Sequence, residues 1–240
     1  MPCTVVIIHQ TMMGEVMPAN VIPPDNQDAG DKRISICSDD IGALTQIYDE
    51  NVNIAIWRRH LPADVVDDVA SILQTTSHLN TSAFVDANSI TDDVTDALQV
   101  TNTGKALIDN ISELIDVFCV LFEQPQVGLR LRLLDTPMCP RFHVDRVACR
   151  LVTAFSGSGS QWLEHNGVNR SKLGRGSNGL DDSVSGLFKP SAQIHTLGIG
   201  DVALFKGETW HNNQNAGLVH RSPPFVDGEK RLLMTIDLLS

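Results

Sequence analysis

The chain has 240 residues, enough for one large domain or a core with an added lobe, and its 42% hydrophobic and 20% charged content is ordinary for a globular protein. A net charge of −11 and a pI near 5.0 argue against general binding to nucleic acid or to anionic membrane surfaces, either of which needs a basic face. No apolar run approaches the roughly 20 residues that span a bilayer, the first ten residues do not read as a signal peptide, and five cysteines (Cys3, Cys37, Cys119, Cys139, Cys149) without a Cys-x-x-Cys pair argue against a disulfide framework. The expected compartment is the cytoplasm.

Residues 1–31 carry prolines and little periodicity, and are expected to form an irregular arm. Residues 32–125 read as a mainly helical flank with one or two strands. A short helix is expected over Ile41 to Tyr48 and a strand over Val52 to Trp57. Pro62-Ala63-Asp64 places a proline and an acid where the first turn of a helix favours them. A second helix is expected over Ser89 to Val100. The strongest signal is Gly104 to Phe122, where Leu107, Ile111, Leu114, Ile115, Phe118 and Phe122 mark one helical stripe.

From residue 126 to 240 the pattern changes to short strands. Val127 to Leu134 alternates; Phe142 to Phe155 reads as strand, bend and strand; Gln161 to Glu164, Ile194 to Leu197, Val202 to Phe205, Leu218 to Arg221 and Arg231 to Leu239 follow. A polar, glycine-rich stretch over 165–192 reads as a long loop. Helices followed by many short strands predict an α+β protein: a double-stranded β-helix, or cupin-like jelly roll, in the C-terminal half, with a helical lobe flanking it.

Within that half, His143-Val144-Asp145 would put an imidazole and a carboxylate on one side of a strand. His220, from a later strand, would complete two imidazoles and one carboxylate. That donor set leaves several positions of an octahedral metal open, as non-haem Fe(II) oxygenases require. Cys139 and Cys149 are candidate additional ligands, and a thiolate would favour zinc. The competing reading for both is the ordinary one of a small buried apolar side chain. His195, Trp210 and His211 are candidates to line the pocket and are not assigned to the metal.

The order Gly200-Asp201-Val-Ala-Leu-Phe205, Val219-His220, then Pro224, Gly228 and Lys230 resembles the closing strands of Fe(II)/2-oxoglutarate oxygenases, the prolyl-hydroxylase-like branch in particular. The resemblance implies Fe(II) held by His143, Asp145 and His220, with a basic residue pairing with the distal carboxylate of 2-oxoglutarate. It also implies hydroxylation of an unspecified small-molecule or protein substrate. Two adjacent residues are candidates for the basic group, Lys230 and Arg231. Lys230 shares its strand face with Leu232, Met234 and Ile236, and is preferred on that ground; Arg231 shares the more polar face.

Over almost its whole length the chain also resembles an uncharacterised bacterial family, domain of unknown function 1826, through Cys139-Pro-Arg-Phe-His-Val-Asp-Arg146, Cys149-Arg150-Leu-Val and Gly217 to Pro223. That resemblance implies a functional link to zinc-handling GTPase metallochaperones. It leaves a second expectation open: a Zn(II)-binding β-helix protein of metal homeostasis without oxygenase activity.

Overall fold

The computed structural model describes residues 32–99 and 103–239. The expected arm over 1–31 lies outside the described residues. In chain order the elements are β1 (Ile34–Ser38), a 3-10 helix (Ile41–Tyr48), β2 (Val52–Trp57), α1 (Ala63–Thr75), β3 (Leu79–Asp86), α2 (Ile90–Leu98), α3 (Lys105–Phe122), β4 (Gln126–Leu134) and β5 (Cys149–Ala154). They continue with β6 (Gln161–Leu163), β7 (Ile194–Thr196), β8 (Val202–Lys206), β9 (Val219–Arg221) and β10 (Arg231–Leu238). The 165–192 stretch contains short 3-10 turns and no strand.

Seven strands form a large sheet in the order β1-β2-β8-β5-β10-β4-β3, and three form a small one in the order β7-β6-β9. Among the described strands only the β1–β2 pair is parallel. The helices lie on one face of the large sheet. Val65, Val69 and Ile72 of α1, Val94 and Leu98 of α2, and the α3 stripe pack with Leu129, Leu131, Leu151, Leu204, Leu232, Met234 and Ile236 in a single core. Each such side chain, fully buried, contributes about 1.5–3 kcal/mol relative to exposure. The opposite face meets the small sheet through Ile54, Val152, Trp162, Phe205, Leu218 and Leu233. The architecture is therefore mixed α and β in three layers, helices, large sheet and small sheet.

The expected helical lobe differs from what is observed. Residues 32–125 supply three strands, and all of them extend the large sheet at its two edges. From residue 31 onward the chain is one compact unit with no break near 125. The cause is in α3. An 18-residue helix with nine buried positions needs an apolar surface larger than two other helices provide, and the large sheet supplies it. Local chemistry fixes both ends of α3. At its start the Leu107 N–H donates to Asp68 of α1 at 3.0 Å, and a Cβ on Gly104 would fall 1.8 Å from that carboxylate. At its end Glu123 turns left-handed (φ 52°) and closes the last carbonyls. Among the described residues no helix is long and apolar enough to cross a membrane.

One buried cation belongs to this framework. Lys206, at the end of β8, donates to the Asp49 carbonyl at 2.8 Å and lies 5.0 Å from the Trp210 ring centre. Burial pushes its pKa down to about 8.

Candidate metal centre

The site sits between the large and small sheets. His143 does not lie in a regular strand, as its alternation with Asp145 predicted; the backbone there is irregular and touches β9 by a single antiparallel bridge. In that bridge the His143 and His220 N–H groups each donate to the other's carbonyl at 3.0 Å. The two imidazoles are thereby set opposite each other, with ring centres 4.5 Å apart. Residues 144 and 145 belong to no strand, a bend follows at 146–148, and the Asp145 carboxylate lies close to both rings. Ligand atoms of His143, Asp145 and His220 all lie within 4.8 Å of one another.

Second contacts orient these groups. His143 Nδ1 is 2.9 Å from the Arg141 carbonyl and His220 Nδ1 is 3.1 Å from the Leu218 carbonyl. A carbonyl accepts only, so each Nδ1 carries the proton when the ring is neutral, and each Nε2 keeps its lone pair for a cation. Both Nε2 atoms face Asp145, at 3.7 Å and 3.4 Å. Burial, followed by the neighbouring His220, pushes His143 below its ordinary pKa. Burial pushes the Asp145 carboxyl up, but His220, Arg150 and His143 together outweigh it and hold the group well below the usual carboxylate range. Neutral imidazole beside ionised carboxylate is the protonation state that binds metal.

Arg150, which the sequence does not mark as a site residue, reaches the same carboxylate. Its Nη1 donates to Asp145 Oδ2 at 2.7 Å, while Nε and Nη2 form a fork on Asp237 at 2.5 and 3.0 Å. Only the register of β5 on β10, Arg150 opposite Asp237, brings these groups together.

The two candidate anchors separate clearly. Lys230 is exposed and donates to the Leu73 carbonyl at 2.9 Å. Arg231 is 1% exposed and lines the cavity that contains His143, Asp145 and His220. The preference for Lys230 is thus corrected. Both faces of β10 are buried, and its more apolar face is taken by the helices; the mixed face looks into the site. Arg231 Nη2 donates to Ser160 Oγ at 2.9 Å, but Nε and Nη1 are buried without a partner. Burial, opposed by Glu229, pushes this guanidinium down to about 10.

The sulfur candidates do not join the cluster. Cys149 is fully buried among the apolar side chains shared with the helices, and burial raises its thiol pKa. Cys139 lines the same cavity but stands outside the group of mutually close ligands. His195 stacks on Trp162 at 4.2 Å, away from the metal cluster.

The chain belongs to the family described as protein of unknown function (DUF1826), which matches residues 38–237. No curated protein matches it by sequence. Among solved structures it is similar to dioxygenase for auxin oxidation 1 from Arabidopsis thaliana in a binary complex with 2-oxoglutarate. The TM-score is 0.50 and the identity 10%, over 87% of this chain and 92% of that one. It is also similar to the rice dioxygenase for auxin oxidation (TM-score 0.48, 11% identity, 87% and 83% covered). A prolyl-4-hydroxylase from Pseudomonas putida gives a TM-score of 0.43 at 13% identity, with 82% and 96% covered. At such identities the likeness is one of fold.

Proposed function

We propose that this chain is a mononuclear Fe(II)/2-oxoglutarate-dependent oxygenase of the hydroxylase type. In this reading β8, β5, β10 and β4 face β7, β6, β9 and the His143 segment as the two walls of a double-stranded β-helix. One observation carries it. A cavity holds, side by side, a two-imidazole, one-carboxylate set and a buried arginine with two unpartnered nitrogens. The first part suits a divalent cation with open positions. The second suits the far carboxylate of a dicarboxylic acid.

The residues fit the groups the family of folds implies. His143, Asp145 and His220 would hold the iron, and Arg231 with Ser160 would hold 2-oxoglutarate. Iron with 2-oxoglutarate and dioxygen supplies oxidative decarboxylation coupled to hydroxylation of a C–H bond. The chain's own contribution is positional. Carbonyls of Arg141 and Leu218 hold the imidazole tautomers, and Arg150 fixes the Asp145 carboxylate. Phe205, Val152 and Leu233 form an apolar wall that limits water.

An anaerobic titration tests this: Fe(II), then 2-oxoglutarate, with Zn(II) as competitor. A visible charge-transfer band that needs both additions, and is lost in His220→Ala and Arg231→Met, is expected. Iron binding without the band removes the co-substrate. Failure to bind iron, with tight zinc uptake, moves the protein to the zinc reading.

A further inference from the structure

Beside the metal cavity lies a second, larger chamber of about 310 Å³, lined by Arg130, Arg132, Met138, Arg150, Leu233 and Thr235. Met138, Arg150, Leu233 and Thr235 line both spaces, so the two adjoin. Arg231 lines only the metal cavity. Three arginines around one chamber are not a product of composition, since the chain carries 18 basic against 29 acidic residues. Strand register gathers them: Arg130 and Arg132 lie opposite Thr235 and Leu233 across β4 and β10, and Arg150 lies opposite Asp237.

Their charges are not all matched. Asp237 pairs with both Arg130 and Arg150, and Arg150 also holds Asp145. Arg132 has no carboxylate partner among the described residues. Its Nη1 reaches only the Met138 sulfur at 2.8 Å, a weak acceptor, and its Nε is buried without a hydrogen bond. A guanidinium in this state has no anion on it, and a planar guanidinium matches carboxylate and phosphate oxygens two at a time.

We infer that this chamber receives the primary substrate by an oxyanion, a carboxylate or a phosphate ester, held by Arg132 with Arg130 beside it. Met138 and Leu233 contact the apolar body, and the shared walls lead that body toward His143, Asp145 and His220. The inference rests on the oxygenase reading for the word substrate, but the anion site itself does not.

The test uses the full chain and calorimetry. Phenylacetate and phenyl phosphate are titrated against the neutral phenylacetamide and benzyl alcohol. Each is measured in metal-free protein and again under nitrogen with Fe(II) and saturating 2-oxoglutarate. The expected result is anion binding at least about tenfold tighter than that of the neutral counterpart, weakened at least about tenfold in Arg132→Gln and less in Arg132→Lys. Thermal melts show that the Arg132 variants fold, and where wild type binds 2-oxoglutarate they bind it at the same level. The stronger of the two anions names the source. No anion binding in either state, equal binding of the neutral compounds, or loss in Arg231→Met rather than in the Arg132 variants overturns the inference. Anion binding through Arg132 without any iron–2-oxoglutarate band sinks the oxygenase reading and leaves the anion site standing.

Discussion

Arg231→Met should make the empty protein more stable while removing its response to 2-oxoglutarate. The guanidinium is 1% exposed, and burial moves its pKa well below the ordinary arginine value, to about 10, which corresponds to about 3 kcal/mol against the folded state. Because the folded value is the lower one, the unfolded chain keeps its proton longer. The full cost is therefore present at pH 7 and fades only as pH rises above about 10, toward the ordinary arginine value. Methionine fills similar length without charge, and loses one hydrogen bond to Ser160 worth about 1 kcal/mol. The net gain is about 2 kcal/mol, or about 4–8 °C in Tm for a chain of this size. Thermal melts with Fe(II) under nitrogen, with and without 2-oxoglutarate, read both effects. At a hundredfold excess over Kd the ligand should stabilise wild type by about 2.7 kcal/mol and the variant not at all. A variant that melts below wild type and still gains from 2-oxoglutarate would refute the reasoning.

Lys206 offers a pH test. Its folded pKa of about 8 lies below the ordinary 10.5, so the unfolded state holds more protons between those values and wild-type stability rises with pH across that window. Relative to Lys206→Met, wild type should gain about 2 kcal/mol between pH 7 and pH 9.5 in urea denaturation; a constant difference would disprove the buried-cation account. Gly159→Ala would place a Cβ 2.1 Å from the Leu197 carbonyl oxygen, backbone that cannot yield cheaply. A loss of about 1–3 kcal/mol is expected by the same measurement. Phe118→Ala, in the α3 stripe and 0% exposed, should cost about 3–5 kcal/mol.

The helices and most strands were legible because each carries its period in side chains large enough to register. The α3 stripe and β4 show this best. β3 was not, since Thr81 and Ala83 are small or polar and Phe84 points outward at 70% exposure; it is an edge strand held by β4 rather than by burial. The three candidate ligands were readable as residue types. So was their meeting at one site; the route by which they meet was not, because it runs through a single bridge and an irregular segment rather than a regular strand. Choosing Lys230 over Arg231 failed for a related reason: polarity ranks the two faces of β10, but cannot say which one the helices will cover. Arg150 and Arg132 acquire meaning only from pairing register, which joins residues far apart in sequence.

The bridge between His143 and His220 also bears on mechanics. An ion held there would act as a clip between two distant points of the chain, enclosing β5 to β8 and the long 165–192 loop. A covalent tie over a span of that length removes about 4 kcal/mol of unfolded-chain freedom. Detaching β9 and surrendering the ion would then be one event, so the loaded protein should lose its metal cooperatively with the small sheet rather than by leakage from an intact fold.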